Sequence, residues 1–293
     1  MKNIKLRAPA KLNLSLNLLP RRGARGFFQV RFINVQAELH DLVTLSRSPG
    51  GSGVTLNGEQ APGDDLACRA AALVADSYGI RERIHIGLEK RIPVRAGLGG
   101  GSADAAAVIN GMDALFSLGI TERERVGLAG RLGMDVCYCV VGGLCAVGGI
   151  GDRVKRLSPS PPPLDLLIAT PRVHKPSTAW AYRTVDPARI GMELEKIDEL
   201  LAGIKHGDAK RIATSLHNDF EPSVGAYFPL VRRLKGGMLD RGALGALLAG
   251  SGLSVFGVFP GSEAMGEACS WLEELCIPWH ATRVAAGPVT AAC

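Results

Sequence analysis

Polar and apolar residues alternate along the first stretch of the chain. Residues 11–19 set Leu12, Leu14, Leu16 and Leu18 against Lys11, Asn13, Ser15 and Asn17, the two-residue period of a strand with one face in a core. Residues 2–7 alternate in the same way, and Ala8-Pro9-Ala10 predicts a kink between two strands. Further strands are expected at 27–37 and 42–46, with Asn57-Gly58 as hairpin punctuation, and at 83–89. Helical spacing of Leu66, Ala70, Leu73 and Val74 behind Asp64 and Asp65 predicts a helix over 66–78. A second helix is expected over 102–118, and Thr121-Glu-Arg-Glu124 has the form of a capping box opening a third that ends near Gly133. The apolar run at 136–141 reads as a strand.

The proline-rich segment at 158–163 reads as a linker and divides the chain into 1–160 and 161–293. Beyond it the pattern predicts a strand at 164–170, helices near 177–185, 191–205, 208–216 and 225–238, strands at 243–249 and 253–259, a helix at 262–275 and a strand at 277–285. That order suggests a split βαβ layer of the ferredoxin-like type, with a loose tail at 286–293. The fold class is α+β in two domains.

The element around which the chemistry gathers is Pro93-Val-Arg-Ala-Gly-Leu-Gly-Gly-Gly-Ser-Ala-Asp-Ala-Ala106. Gly97, Gly99, Gly100 and Gly101 free the backbone to point successive N–H groups into one concavity, and the helix that follows adds its N-terminus. Such a cradle suits a phosphate. It is not the usual P-loop, because no Gly-Lys-Ser/Thr follows, nor a Rossmann turn, because no βαβ unit opens the chain. Two further positions stand out. Lys11 and Asn13 put a cation and an amide side by side on a polar strand face, which could equally face water. Asp135 lies between a helix stop and an apolar run, where a turn aspartate bonding its own backbone is the plainer reading.

Composition narrows the class. A chain of 293 residues with 46% hydrophobic and 21% charged residues is ordinary for a soluble globular protein, and the first residues lack the apolar core of a signal peptide, so a cytoplasmic protein is expected. No apolar run is long enough for a membrane span. Seven cysteines without C-x-x-C spacing read as small buried hydrophobes rather than metal ligands. The net charge of +6 concentrates in the first 50 residues, where nine Lys or Arg face only Glu38 and Asp41. That basic segment suits a phosphate-bearing ligand, and the scarcity of aromatics in it argues against nucleic acid.

Taken together, these stretches resemble the GHMP small-molecule kinases. The resemblance rests on Ala8-Pro-Ala-Lys-Leu-Asn-Leu14, the loop at 93–106, Leu132-Gly-Met-Asp-Val136, Ser177-Thr-Ala-Trp-Ala-Tyr182, Asn218-Asp-Phe-Glu221 and Gly250-Ser-Gly-Leu-Ser254. It implies a ribosomal protein S5 domain 2-like N-terminal domain, a ferredoxin-like C-terminal domain, and ATP-dependent phosphorylation of a small alcohol, with Mg²⁺, by a monomer or homodimer. In the branch it resembles most, the alcohol is linked to cytidine diphosphate. Homoserine, mevalonate or a sugar is the alternative acceptor, and a non-catalytic nucleotide-binding homologue a third reading. The resemblance also makes Asp135 the catalytic base and Lys11 its partner. Pro93, Ala96, Gly97, Leu98, Gly99, Gly100, Gly101, Ser102 and Ala103 become the nucleotide loop. Ser102 is then the hydroxyl on phosphate or Mg²⁺, and Asp104 a helix cap. Asn13, Phe27, Phe28, Tyr182, Gly250, Ser251 and Gly252 become substrate contacts. Three positions depart from the family pattern: Arg95 stands for a glycine, Cys137 for a proline that would hold the backbone beside Asp135, and Arg25-Gly-Phe-Phe28 for Asp-Gly-Tyr-His. Phe27 keeps an aromatic face for a base, whereas Phe28 cannot make the histidine's hydrogen bonds.

Overall fold

The N-terminal alternation forms one strand, not two. In the computed structural model, which describes residues 3–22, 27–60 and 63–285, β1 (Asn3–Arg22) runs through the expected kink and pairs antiparallel with β2 (Phe28–Ser48), itself one strand where two were expected. Pro9 is accommodated by a register shift between Pro9 and Lys11, and a second shift falls between Asn13 and Ser15. These irregularities flank the two polar residues singled out above. Residues 23–26, with Arg25 and Gly26 of the variant substrate turn, and the tail at 286–293 lie outside the described residues.

The first sheet is completed by β3 (Gly53–Leu56), β4 (Glu59–Gln60), β5 (Arg83–Glu89), β6 (Cys145–Gly148) and β7 (Arg153–Arg156). Asn57 and Gly58, both at positive φ, turn β3 into β4 as the Asn-Gly pair predicts. Over the sheet lie α1 (Leu66–Tyr78), α2 (Gly100–Phe116), α3 (Glu122–Leu132) and α4 (Met134–Val141). Helix α2 is apolar on most sides and buried along its length, and it sits so close to the sheet that a Cβ on Gly111 would lie 2.5 Å from Leu45 Cδ1. The capping box of α3 forms as expected, with Thr121 and Glu124 each bonding the other's backbone.

Helix α4 replaces the strand expected at 136–141. Residues 136–141 are all buried, so no polar face marks the helical period there, and the sequence pattern cannot separate them from an interior strand. The backbone is helical through Cys137, which is fully buried with its Sγ 3.8 Å from the Val126 carbonyl oxygen.

The second half of the chain contributes β8 (Asp165–Ala169), α5 (Thr178–Thr184), α6 (Glu195–His206), α7 (Ala209–Thr214), β9 (His217–Asn218), α8 (Glu221–Tyr227), α9 (Pro229–Leu239), β10 (Gly245–Leu248), β11 (Val255–Phe259), α10 (Gly266–Glu274) and β12 (Trp279–Arg283). The helix expected over 225–238 is two, broken where Phe228 takes the extended conformation that a following proline favours. Strands β10-β11-β8-β12 form an antiparallel sheet whose order is that of a split βαβ layer. Strand β9 leaves that layer and joins the first sheet, parallel to β1 at Ser15 and Leu16. This crossing brings the second half of the chain alongside β1 in the sheet.

Candidate active site

The polar face of β1 does not meet water. Lys11, Asn13, Ser15 and Asn17 are all buried, a state that requires partners. Lys11 Nζ donates to Asn13 Oδ1 at 3.0 Å, and Asn13 Nδ2 donates to Asn34 Oδ1 at 2.7 Å across the β1–β2 pair. The same ammonium lies 3.3 Å from Asp135 Oδ1. Lys11 is only 5% exposed, whereas the Asp135 side chain is half exposed, so the cation is fixed by the fold and the carboxylate faces open space. Asp135 occupies the first turn of α4, where the helix N-terminus favours a negative charge.

The glycine loop reaches this pair by close backbone approach. Lys11 N–H donates to the Leu98 carbonyl at 2.8 Å. Gly99, at φ +69°, is the residue before α2, and a Cβ there would lie 2.6 Å from Lys11 Cγ. The helix opens at Gly100, two residues earlier than expected, so Gly100, Gly101 and Ser102 form its first turn. Pro93, Ala96, Gly97, Leu98, Gly99, Gly100, Gly101 and Ser102 line a cleft of about 720 Å³ that also takes in Asn57, Leu66 and Leu88. Ala103 is buried behind it.

Asp104 is not a helix cap. It lies on the buried side of α2, where Lys90 Nζ donates to its Oδ2 at 2.6 Å and also to the fully buried Asp41. Asp41 in turn accepts from the N–H groups of Arg91 and Ile92, which holds the chain entering the loop. Burial raises the Asp104 carboxyl to about 7 against the opposing effect of Lys90, with the Asp41 charge adding to the rise. Two carboxylates share one lysine beneath the cradle, an arrangement assembled from residues far apart in the chain that sequence reasoning missed.

The turn at 249–252 packs against the loop from the other side. A Cβ on Gly252 would lie 2.6 Å from the Ala96 carbonyl oxygen, and one on Gly250 3.0 Å from that of Gly97. Asn218, buried on β9, holds the turn by donating to the carbonyls of Leu248 and Gly250 at 2.9 and 2.7 Å. Ser251 is on the far side of this contact and lines a second cleft of about 380 Å³.

Asp135 lines a third cleft, of about 410 Å³, to which no residue of the glycine loop contributes. Phe27, Phe28 and Tyr182 form an aromatic wall there, with Phe28 and Tyr182 stacked at 6.1 Å between ring centroids. Burial, and after it the Asp135 charge, pushes the Tyr182 hydroxyl up to about 12. Asn34, Thr178 and Arg183 supply the polar groups of this wall, and none of the three was singled out from the sequence. Thr178 lines all three clefts and so marks their junction. Of the expected substrate contacts, the aromatic residues line this cleft, Asn13 is buried behind Lys11, and Gly250, Ser251 and Gly252 stand by the loop.

A glycine-rich loop at a helix N-terminus, a buried cation paired with a carboxylate, and an aromatic cleft beyond the carboxylate suit a kinase of small molecules. The chain belongs to the GHMP kinases: the family's N-terminal domain matches residues 65–143 and its C-terminal domain residues 200–275. Within the family it is similar to 4-diphosphocytidyl-2-C-methyl-D-erythritol kinase of Caldicellulosiruptor bescii, at 36% identity over 87% of this chain and 89% of the relative. The kinase of the same name from Alkaliphilus metalliredigens is 35% identical over 97% of this chain and 96% of its own. A crystal structure of 4-(cytidine 5'-diphospho)-2C-methyl-D-erythritol kinase superposes with a TM-score of 0.80 at 31% identity, covering 96% of this chain and 99% of that one. Homoserine kinase from Cytophaga hutchinsonii shares the fold, with a TM-score of 0.78 at 22% identity over 100% of this chain and 98% of its own. Among the described residues no helix is long and apolar enough to cross a membrane, and no group of three or more His, Cys, Asp or Glu side chains could hold a metal ion.

Proposed function

We propose that the protein transfers the γ-phosphoryl group of ATP to the 2-hydroxyl of 4-diphosphocytidyl-2-C-methyl-D-erythritol, a step of non-mevalonate isoprenoid synthesis. The observation that carries this reading is the Lys11–Asp135 pair at 3.3 Å between the glycine-lined cleft and the aromatic one. Phosphoryl transfer to an alcohol needs little covalent chemistry from the protein and much positioning, with a carboxylate to take the hydroxyl proton and a cation beside the developing charge. Asp135 accepts that proton. Lys11 is fixed by Asn13 and offsets charge on the transferring group, so Asn13 acts through Lys11 and orients the acceptor only by way of it. The N–H groups around Gly99 and the first turn of α2 cradle the phosphates. The loop and the Gly250 turn press on each other through glycines and so keep the reacting ends together.

Mg²⁺ fits this site as an ion carried by the nucleotide. Mg²⁺ commonly keeps phosphate and water oxygens with few protein ligands. The cleft offers the Ser102 hydroxyl and, deeper, an unpartnered Asp104 Oδ1, so Ser102 would hold the ion, which when bound would neutralise phosphate charge. Phe27 and Tyr182 give a cytosine its stacking surface, and Arg183 and Thr178 take over the hydrogen bonds that Phe28 cannot make. The domain division is placed in the proline-rich segment, with 1–160 holding the loop, Lys11 and Asp135, and 161–293 supplying the Gly250 turn and Tyr182.

The test is transfer of labelled γ-phosphate from ATP to the cytidyl compound, run beside homoserine, mevalonate and a sugar. Turnover with the cytidyl compound in preference to the others is expected. Preference for another alcohol would reassign the acceptor, and no turnover with any of them by folded protein would overturn the kinase reading.

A further inference from the structure

The second cleft is not used by the reading above. It lies between the glycine loop and the segment leading into α5, and its polar lining is Arg95, His174, Lys175, Ser177, Thr178 and Ser251. No carboxylate lines it, and among the described residues none of Arg95, His174 and Lys175 is ion-paired. Three nitrogen bases facing one concavity without a counter-charge leave it short of negative charge. Lys175 makes only a long 3.5 Å hydrogen bond to Thr178, and its burial lowers its pKa, which an arriving anion would reverse.

The backbone adds a second, independent observation. Arg95 sits at φ +60°, in the left-handed region where a long side chain is rare. The other three non-glycine residues at positive φ among the described residues are turn or helix-end residues, Asn57 in a hairpin, Ser117 at the end of α2 and Cys276 just past α10. Arg95 likewise sits in a turn, with Val94, but there the left-handed position is filled by a long charged side chain. Its neighbour Ala96 is buried against Gly252, so the turn is held by its surroundings while the arginine stays exposed, lining both this cleft and the nucleotide cleft. An unpaired guanidinium kept at a left-handed turn position where two clefts meet is placed to receive a ligand's charge.

We propose that Arg95, His174 and Lys175 form a phosphoanion subsite beside the glycine loop, built for a phosphate or diphosphate group. Ser177 and Ser251 supply hydroxyl donors, and the shared Gly97 and Thr178 make the subsite continuous with the path of phosphoryl transfer. Two sources offer this chemistry: the polyphosphate of the donor nucleotide, reaching past Gly97, and a free anion bound beside it. The proposal rests on the nucleotide reading only for the first of these.

The experiment is calorimetric titration of the full chain with inorganic diphosphate, for wild type, R95G and K175A, repeated in the presence of a saturating non-hydrolysable ATP analogue. Diphosphate is expected to bind wild type and to bind each variant at least tenfold more weakly. Binding that persists beside the analogue assigns the subsite to a free anion, and binding abolished by it assigns the subsite to the donor's phosphates. R95G removes the positive-φ side chain and is expected to melt no lower than wild type, so weaker binding there is not a folding defect. Diphosphate held by the glycine loop alone would be insensitive to K175A, and that outcome, like equal affinity in all three proteins or none in wild type, overturns the proposal. A failure of the kinase reading would appear as no transfer to any alcohol and would leave these affinities as they are.

Discussion

Gly97 and Gly101 stand four residues apart, one in the loop and one in the first turn of α2, and replacing each by alanine should move stability in opposite directions. At Gly97 the backbone is at φ +84°, and an added Cβ would overlap the Ala249 carbonyl oxygen and lie 3.0 Å from Gly252 Cα. Neither obstacle is the end of a flexible side chain. Forcing a Cβ into the left-handed region costs about 1–2 kcal/mol, and prying apart two packed backbones about 1–3 kcal/mol more, so about 2–5 kcal/mol in all. At Gly101 the residue is inside α2, φ is helical, and the nearest atom to a new Cβ is Leu66 Cδ1 at an ordinary 3.7 Å. There alanine should gain up to about 1 kcal/mol from helix propensity. For a chain of this size roughly 2 °C of melting temperature accompanies each kcal/mol, so G97A should melt roughly 4–10 °C lower than wild type and G101A at or slightly above it. Thermal unfolding followed by circular dichroism measures both. Because the clash at Gly97 separates the loop from the turn held by Asn218, G97A should also raise the KM for ATP. If G97A melts with wild type, the loop and the turn are not in the contact described and the argument for their joint action fails.

Other substitutions probe the remaining parts. Asp135→Asn should lower kcat by roughly 10²–10⁴-fold, the usual worth of a positioned base, while ATP affinity by calorimetry stays within a factor of a few; full turnover would remove Asp135 from the mechanism. Asn218→Ala strips two carbonyls of their donor and Phe220 N–H of its acceptor in a buried setting, and should cost about 1–3 kcal/mol in urea unfolding. The Asp104 carboxyl, raised to about 7 from 3.8, binds its proton more tightly folded than unfolded. Stability therefore falls as pH rises from about 4 to about 7 and is level above, as far as this group is concerned; Asp104→Asn should flatten that slope in melting curves taken across the window, and an unchanged slope would refute the assignment.

What the sequence revealed and what it hid follow a physical rule. The capping box at Thr121, the Asn57-Gly58 turn and the alternation from Lys11 to Leu18 are local, and each element is where its pattern placed it. Asp104 looked like a cap because a cap is the local use of an aspartate at a helix start. Its actual partners, Lys90 and Asp41, come from elements that meet only in the folded sheet. Helix α4 was hidden by the burial of all six residues from 136 to 141, and Asp135 was tied to Lys11 by family resemblance, since no spacing rule joins residues so far apart in the chain.

The same distinction separates the two halves of the proposed site, the donor half around the glycine loop and the acceptor half in the aromatic cleft. The donor half is built from backbone: glycines at positive φ, a helix N-terminus, and a close approach between loop and turn, all of which leave a compositional trace. The acceptor half is built from side chains that the fold gathers from β2, α4 and α5, and the residues in it are individually unremarkable. Phe28 shows the consequence. In sequence it is only the loss of a histidine; in the structure it stacks on Tyr182, in a wall that also presents Thr178 and Arg183. Base recognition can therefore pass from one residue to its neighbours without changing the wall's shape. If it has done so, Arg183→Ala should raise the KM for the cytidyl compound by more than that for ATP, and equal effects on both would argue that Arg183 does not read the base.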